Sequence, residues 1–150
     1  MTTETVPTPS SSARSTRGWR TGLLVAGDAL SFVAFAAAGG SSHGEAMGVG
    51  HTLGVAAPFF ASWVVTAPLL GAYREELLDS PRQMASRTAR AWVIAWPVSL
   101  VLRWATAPDH SVPVTFAIVI LLVNLVFLTG WRTLAAWLTG MAGSAKRGAR

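Results

Sequence analysis

The chain has 150 residues, of which 51 % are hydrophobic and only 13 % carry a formal charge, and its mean hydropathy is +0.44. Soluble domains contain about 25 % charged residues, so this composition disfavours a soluble domain and indicates several membrane spans. The net charge of +5 does not indicate nucleic-acid binding, because the basic residues lie at the edges of apolar segments and form no stripe on a soluble face. The absence of cysteine excludes disulfides, thiolate metal sites and cysteine nucleophiles.

The N-terminal segment, residues 1–19, is rich in Ser, Thr and Pro and predicts a disordered cytoplasmic tail, because it has too few apolar side chains to bury a core. An apolar run over about residues 21–38 predicts the first membrane helix. A signal peptide is the rival interpretation, since a basic start, an apolar stretch and an Ala-rich end resemble its three regions. Asp28 within the run disfavours a cleavable signal, so we expect the helix to be retained.

Three further apolar segments predict three more membrane helices, over about residues 52–72, 89–107 and 113–138. The second contains two prolines, which neighbouring helices can accommodate in a membrane. The third is expected to begin before its apolar part, with Ser80 as a side-chain cap, Pro81 in the first turn and Gln83 completing a capping box. Residues 140–150 predict a short, basic cytoplasmic tail.

A charged stretch, residues 73–90, separates the two pairs of spans and fixes the expected topology. Short loops rich in Arg and Lys stay on the cytoplasmic side of a membrane. With this loop inside, 10 of the 12 Lys and Arg residues lie on that side, and the other two, Arg103 and Arg132, lie within spans. The sequence therefore predicts an all-α polytopic membrane protein, with four transmembrane helices in a small bundle within residues 20–139 and both termini cytoplasmic.

Polar side chains inside the predicted spans are the main functional candidates, because each is costly in hydrocarbon. At a rise of about 1.5 Å per residue, Asp28 lies roughly 10 Å deep in the first span and Arg132 roughly 9 Å deep, from the same side, in the fourth. The matching depths predict that the two side chains pair, either to hold helices together or as part of a proton or ion path. Asn124, near the middle of the fourth span, is expected to hydrogen-bond across helices.

Arg103 lies near the outer end of the third span, roughly 6 Å deep. Its predicted partners are His43 and Glu45 of the first outer loop, with Asp109 as a competitor. Imidazoles and carboxylates in the outer loops raise a metal or haem hypothesis, but their spacing matches no compact ligand motif, so we predict no metal and no cofactor. No nucleophile elbow or phosphate-binding glycine loop is present. We therefore predict no catalytic residue, and an enzyme is the less favoured interpretation.

Several short motifs occur in order within residues 23–138: Ser42–Ala46 (SHGEA), Ala67–Tyr73 (APLLGAY), Arg87-Thr88 with Ala91-Trp92, Thr115–Ala117 (TFA) and Gly130–Arg132 (GWR). Together with Asp28 and Arg103, they resemble the uncharacterised prokaryotic membrane family catalogued as domain of unknown function 3054. The resemblance implies a small four-helix integral membrane protein of a bacterial plasma membrane. It implies no established activity.

Two kinds of function remain open, both in contact with the lipid bilayer. The first is transport of an ion, a proton or a small solute, for which we expect a homo-oligomer because four helices make a thin bundle. Its polar path would run from Asp28 and Arg132 to Arg103, Glu45 and His43. The alternative is a non-catalytic subunit or assembly factor, which contacts another membrane protein and whose polar residues are structural. A continuous polar track would favour transport, and an apolar, filled interior the alternative. An enzyme acting on lipid or isoprenoid substrates comes third.

Overall fold

The structure is a computed structural model that describes residues 11–42, 48–108 and 110–148, with side chains over 19–39, 48–108 and 110–141. It contains four α-helices and one short 3₁₀ helix: α1 Ser11–Ser42, α2 Val49–Leu69, the 3₁₀ helix Glu75–Asp79, α3 Pro81–Thr106 and α4 Val114–Gly148. All regular secondary structure in these ranges is helical. The all-α prediction is confirmed for the described part of the chain.

The first and last helices are longer than the predicted spans. α1 begins at Ser11, inside the predicted N-terminal tail, and α4 continues to Gly148, inside the predicted basic tail. No proline occurs between Pro9 and Pro58, so the sequence contains no strong helix breaker at the expected start of the first span. The helix ends therefore differ from the tail boundaries that hydropathy alone suggested.

α3 begins at the predicted residue but without the predicted cap. Ser80 is the residue before the helix and Pro81 occupies the first turn, where its fixed φ is favourable. The Ser80 side chain makes no capping hydrogen bond, and its backbone N–H donates to the carbonyl oxygen of Leu77 (3.2 Å). The predicted capping box with Gln83 is wrong, because the N–H that Gln83 would accept is already bound within the 3₁₀ turn.

Three helical stretches among the described residues are long and apolar enough to cross a membrane: Trp19–Gly39, Val49–Leu69 and Val114–Met141. They are compatible with a membrane protein, as the composition predicts. α3 is 26 residues long but is not among them. Its four arginines lower the mean hydropathy of every window long enough to span, so length and composition do not support the third predicted span, residues 89–107.

Aromatic side chains fill the space between the helices. α1 packs against α2 and α4, and α3 packs against the same two helices from the other side. Phe32, Phe59, Trp63 and Trp92 are completely buried there. The ring of Trp92 lies 5.5 Å from that of Phe32 and 6.3 Å from that of Trp63, centroid to centroid. This part of the interior is chiefly aromatic, and the indole N–H of Trp92 is satisfied by the carbonyl oxygen of Leu121 on α4 (2.9 Å).

A second apolar cluster holds the connection between α2 and α3, residues 70–80, against the helices. It contains Leu24, Leu77, Leu78, Met84 and Ala136. The Thr139 hydroxyl of α4 donates to the carbonyl oxygen of Leu78 (3.0 Å). The N-terminal half of α1, the connection and the C-terminal half of α4 therefore lie together, at what we call the connection end of the molecule.

Gly27 marks the closest approach of α1 to α4. A Cβ atom built on Gly27 would lie 2.0 Å from Cζ2 of Trp131, whereas a Cβ on Gly22 of the same helix would meet nothing within 4 Å. We expect Gly27→Ala to lower the free energy of unfolding by about 1–3 kcal/mol, because the indole must shift in a packed interior. Gly22→Ala is the matched control and should be neutral or stabilising by about 0.5–1 kcal/mol. Thermal unfolding in detergent measures both, and equal effects would contradict this contact.

Candidate functional site

Asp28 of α1 and Arg132 of α4 form an ion pair in the interior, with both side chains 0 % exposed. Nη2 of Arg132 lies 2.6 Å from Oδ2 of Asp28, and Nε lies 2.8 Å from Oδ1. The guanidinium thus donates two parallel hydrogen bonds to the carboxylate, the strongest geometry available to such a pair. The pairing predicted from matching depths is confirmed.

Two aromatic side chains complete the surroundings of the carboxylate. The indole N–H of Trp63, on α2, donates to Oδ2 of Asp28 (2.9 Å), and the hydroxyl of Tyr73, on the connection, donates to the same oxygen (2.6 Å). Oδ2 therefore accepts three hydrogen bonds and Oδ1 accepts one. A carboxylate offers about four acceptor positions, so protein donors saturate the Asp28 charge.

The same two aromatic rings flank the guanidinium of Arg132. Its central carbon lies 4.4 Å from the centroid of the Tyr73 ring and 5.1 Å from that of Trp63, distances typical of cation–π attraction. Its Nη1 donates to the backbone carbonyl oxygen of Ala72 (2.7 Å). From its position on α4, Arg132 thus reaches α1, α2 and the connection at once.

A glycine turn brings the connection back onto the site. Gly71 has φ of 69°, a left-handed conformation that glycine adopts without steric cost. The turn is closed by the backbone N–H of Ala72, which donates to the carbonyl oxygen of Ala67 (2.9 Å). As a result, the carbonyl of Ala72 and the ring of Tyr73 face Arg132 rather than solvent.

Tyr73 lies beyond the last residue of α2 and acts as a donor. Burial raises the pKa of its hydroxyl well above the ordinary value, and the adjacent charge of Asp28 raises the pKa further. The phenol therefore keeps its proton at physiological pH. Its hydrogen bond to the carboxylate of Asp28 is therefore present at physiological pH.

Asn124, predicted to bond across helices, takes no part in the hydrogen bonds around Asp28 and Arg132. It is fully buried on α4, and its Nδ2 donates to the carbonyl oxygen of Ile120 on the same helix (3.2 Å). Its Oδ1 accepts no hydrogen bond from the described residues. The predicted interhelical bond is wrong for this part of the chain, because the amide bonds its own helix one turn back.

The predicted partners of Arg103 lie outside the described residues. Arg103 occupies the last turn of α3, where its side chain is half-buried. His43, Glu45 and Asp109 all fall in the gaps between the described ranges. The pairing of Arg103 with the outer loop stays a prediction.

The two histidines within the described ranges, His51 and His110, are exposed. The ring of His110 lies against that of Trp104, with centroids 5.2 Å apart, and its Nδ1 is 3.1 Å from the Trp104 carbonyl oxygen. Within the described residues, no group of three or more His, Cys, Asp or Glu side chains is arranged to hold a metal ion.

Reasoning from the sequence identified the two charges but missed the residues that surround them. A signal for Trp63 exists: an indole N–H in the middle of an apolar span requires an acceptor. Tyr73 is the only tyrosine of the chain and directly follows a span, at the membrane interface where tyrosine and tryptophan are enriched. Nothing in the sequence indicates that the carbonyl of Ala72 accepts a hydrogen bond from Arg132, since only the turn at Gly71 directs it there.

The ion pair predicts strong coupling between its two residues. Asp28→Asn or Arg132→Met alone leaves a buried charge without its partner, which costs about 3–5 kcal/mol. The double variant should lose much less than the sum of the single losses, because it strands no charge. The control cycle combines Asp28→Asn with Arg103→Met and should be additive, since Arg103 lies in the last turn of α3 and does not contact Asp28. Denaturation in detergent measures both cycles, and additive losses in the first would rule out the pair.

The Tyr73 hydroxyl should contribute a hydrogen bond of the charged class. We expect Tyr73→Phe to lower the free energy of unfolding by about 1.5–3 kcal/mol. Thr106→Val is the control, because its exposed hydroxyl bonds only to carbonyls of its own helix; it should change stability by less than about 0.5 kcal/mol. Thermal unfolding of the two variants under one condition checks this, and a neutral Tyr73→Phe would show that the phenol does not support Asp28.

Comparison with known families gives one match. The sequence profile described as "Protein of unknown function (DUF3054)" matches residues 25–135, which include both Asp28 and Arg132. No curated protein and no solved structure matches the chain. The family match covers more than half of the sequence and confirms the resemblance that the short motifs indicated. The chain belongs to the DUF3054 family of proteins of unknown function.

Proposed function

We propose that this protein is a non-catalytic membrane subunit or assembly factor, which acts by contact with another membrane protein. In this proposal the intramembrane charges are structural. Asp28 and Arg132 fix how the helices pack, and the outer surface of the helices carries the function.

The saturation of Asp28 carries the proposal. A residue that relays protons or ions must exchange them with water or with a mobile ligand, which requires a free acceptor position or an open path. Asp28 is completely buried, and its carboxylate already accepts four hydrogen bonds from three side chains. This arrangement supports a fixed charge rather than one that is exchanged.

The packing around the pair supports the same assignment. Phe32, one turn after Asp28, is completely buried among Phe60 and Trp92. The buried hydroxyls of Ser31, Ser62 and Ser99 each donate to a carbonyl oxygen of their own helix: Gly27, Phe59 and Trp96. Most buried polar side chains are thus bonded within the protein, as the structural alternative requires, whereas Oδ1 of Asn124 and the hydroxyl of Thr88 have no partner among the described residues. The transport hypothesis draws no comparable support from the described residues.

We further infer that α3 crosses the membrane as a fourth span, completing a four-helix bundle. One face of α3 is buried against α2 and α4, while Val93, Ile94 and Val101 on the opposite face are more than half exposed. Such a face requires an apolar environment. The stretch 91–106 measures about 24 Å at 1.5 Å per residue. Since this is somewhat less than a bilayer core of about 30 Å, arginines at its ends would reach for the headgroups.

The basic residues support an orientation with the connection end and both termini in the cytoplasm of a bacterium. Four exposed arginines lie within the connection or the first ten residues of α3: Arg74, Arg82, Arg87 and Arg90. Short segments rich in Arg stay on the cytoplasmic side. We propose the bacterial plasma membrane as the location, since the asymmetry fits a membrane that borders the cytoplasm.

Topology is tested by labelling single cysteines, since the chain has none of its own. An impermeant thiol reagent applied to whole cells should label Ser42→Cys and Ser111→Cys and leave Ser80→Cys protected. Ser80→Cys should become reactive once the cells are opened, which controls for burial of the thiol. Labelling of Ser80→Cys alone in intact cells would reverse the orientation.

Partner contact and transport are separated by two measurements on the full chain. Extracted from its source membrane with the surrounding lipid, the protein should form a particle with a second protein in fixed ratio. In liposomes, the purified protein should pass no more protons than protein-free vesicles. Proton flux that Asp28→Asn removes and Gly22→Ala retains would contradict the proposal and establish transport, as would a particle that contains only this chain and conducts.

A further inference from the structure

A groove opens on the outer surface between α3 and α4, at the connection end. It is shallow and open to the surroundings, has a volume of about 480 Å³ and is lined chiefly by Pro81, Ala85, Gly130, Thr133, Leu134 and Trp137. The four residues from α4 follow the spacing i, i+3, i+4 and i+7, so they share one face of the helix. The groove is therefore a continuous furrow along the helix axes rather than an isolated dent.

Apart from Thr129 and Thr133, the walls of the groove are apolar, and they leave space for a chain. Leu134 is 51 % and Trp137 53 % exposed, although both are large and hydrophobic. A Cβ atom on Gly130 would meet nothing within 4 Å. The neighbouring Thr129 hydroxyl is bonded to the carbonyl oxygen of Leu125 on its own helix and presents no free donor. These features suit a flexible hydrocarbon more than a polar ligand.

Positive charge lies next in the chain to the α3 wall of the groove. Arg82 follows Pro81 directly and is exposed. The first turn of α3 has no side-chain cap, so its backbone N–H groups add the partial positive charge of a helix start. Trp137, on the opposite wall, is of the type that lies at the headgroup level of a bilayer. An apolar furrow with such a tryptophan on one wall and an exposed arginine adjacent in sequence to the other wall has the polarity of an anionic phospholipid.

We propose that this groove binds one anionic phospholipid, with an acyl chain between Ala85 and Gly130 and the headgroup beside Arg82. A second copy of this chain is the less favoured occupant, because it would bring a further Arg82 and the same net positive charge to the contact. The lipid site rests on the membrane placement proposed above and goes beyond it by naming the ligand class.

Native mass spectrometry of the full chain tests the site with phosphatidylglycerol and phosphatidylcholine of identical acyl chains, added at equal concentration. The parent should retain one phosphatidylglycerol in preference to phosphatidylcholine. Arg82→Gln should reduce the preference about five-fold, the effect of one basic residue near an anionic surface. Gly130→Leu should lower retention of both lipids, because its side chain projects into the furrow.

Matched variants separate the site from general effects. Arg90→Gln removes an exposed arginine from the opposite side of α3, and Gly54→Leu enlarges an exposed glycine on α2 that also has nothing within 4 Å. Both should retain the lipid as the parent does. Equal retention of the two lipids by the parent, or equal losses in the controls, would overturn the site. So would a parent dimer that Gly130→Leu converts to a monomer, since the occupant would then be a second copy.

The lipid site and the proposed function fail in distinguishable ways. A protein with the expected cysteine labelling but no preference for phosphatidylglycerol overturns the lipid site alone. A protein that conducts protons and still prefers phosphatidylglycerol overturns the partner-contact function and supports the site.

Discussion

Burial of a complete ion pair is the constraint on which the rest of this structure depends. Removing a carboxylate and a guanidinium from water costs several kcal/mol per ion, and their attraction offsets this only when the remaining hydrogen-bonding positions are also filled. Here Trp63 and Tyr73 donate hydrogen bonds to the carboxylate of Asp28, and the Ala72 carbonyl accepts one from the guanidinium of Arg132. These groups come from α2 and from the connection, while the charges come from α1 and α4. We infer that the pair specifies one arrangement of these four segments.

This constraint links the connection to the membrane helices. The turn at Gly71 and the buried pair Leu77 and Leu78 hold the segment between α2 and α3 against the helix ends. Tyr73 and Ala72 then complete the charge network from outside α2. The connection is charged and exposed, whereas the ion pair is buried and fully bonded. The accessible chemistry of this protein therefore lies on its surfaces: the basic connection end, and the apolar outer faces of α3 and α4.

Much of this was predictable because hydropathy and charge act locally. Long apolar runs gave the helices, and equal depth from one side was sufficient to pair Asp28 with Arg132. What could not be predicted depends on how the connection folds back onto the helices. The Ala72 carbonyl accepts from Arg132 only because Gly71 adopts a left-handed conformation. Asn124 illustrates the opposite case, since a local bond to Ile120 competes with any partner across helices. The expected partners of Arg103 lie outside the described ranges, so its pairing with them is predicted from the sequence alone.

Exchange of the Arg132 side-chain N–H with water tests the central claim most directly. In selectively labelled protein transferred to D₂O, the Nε–H signal of Arg132 can be followed by NMR beside that of Arg90, which is exposed on α3. The account predicts that the Arg90 signal disappears at once and that the Arg132 signal persists, because Nε–H is bonded to Asp28 in a dry interior. If Arg132 exchanges as fast as Arg90, water reaches the pair. The charges would then face an open path, and the structural role proposed for them would be wrong.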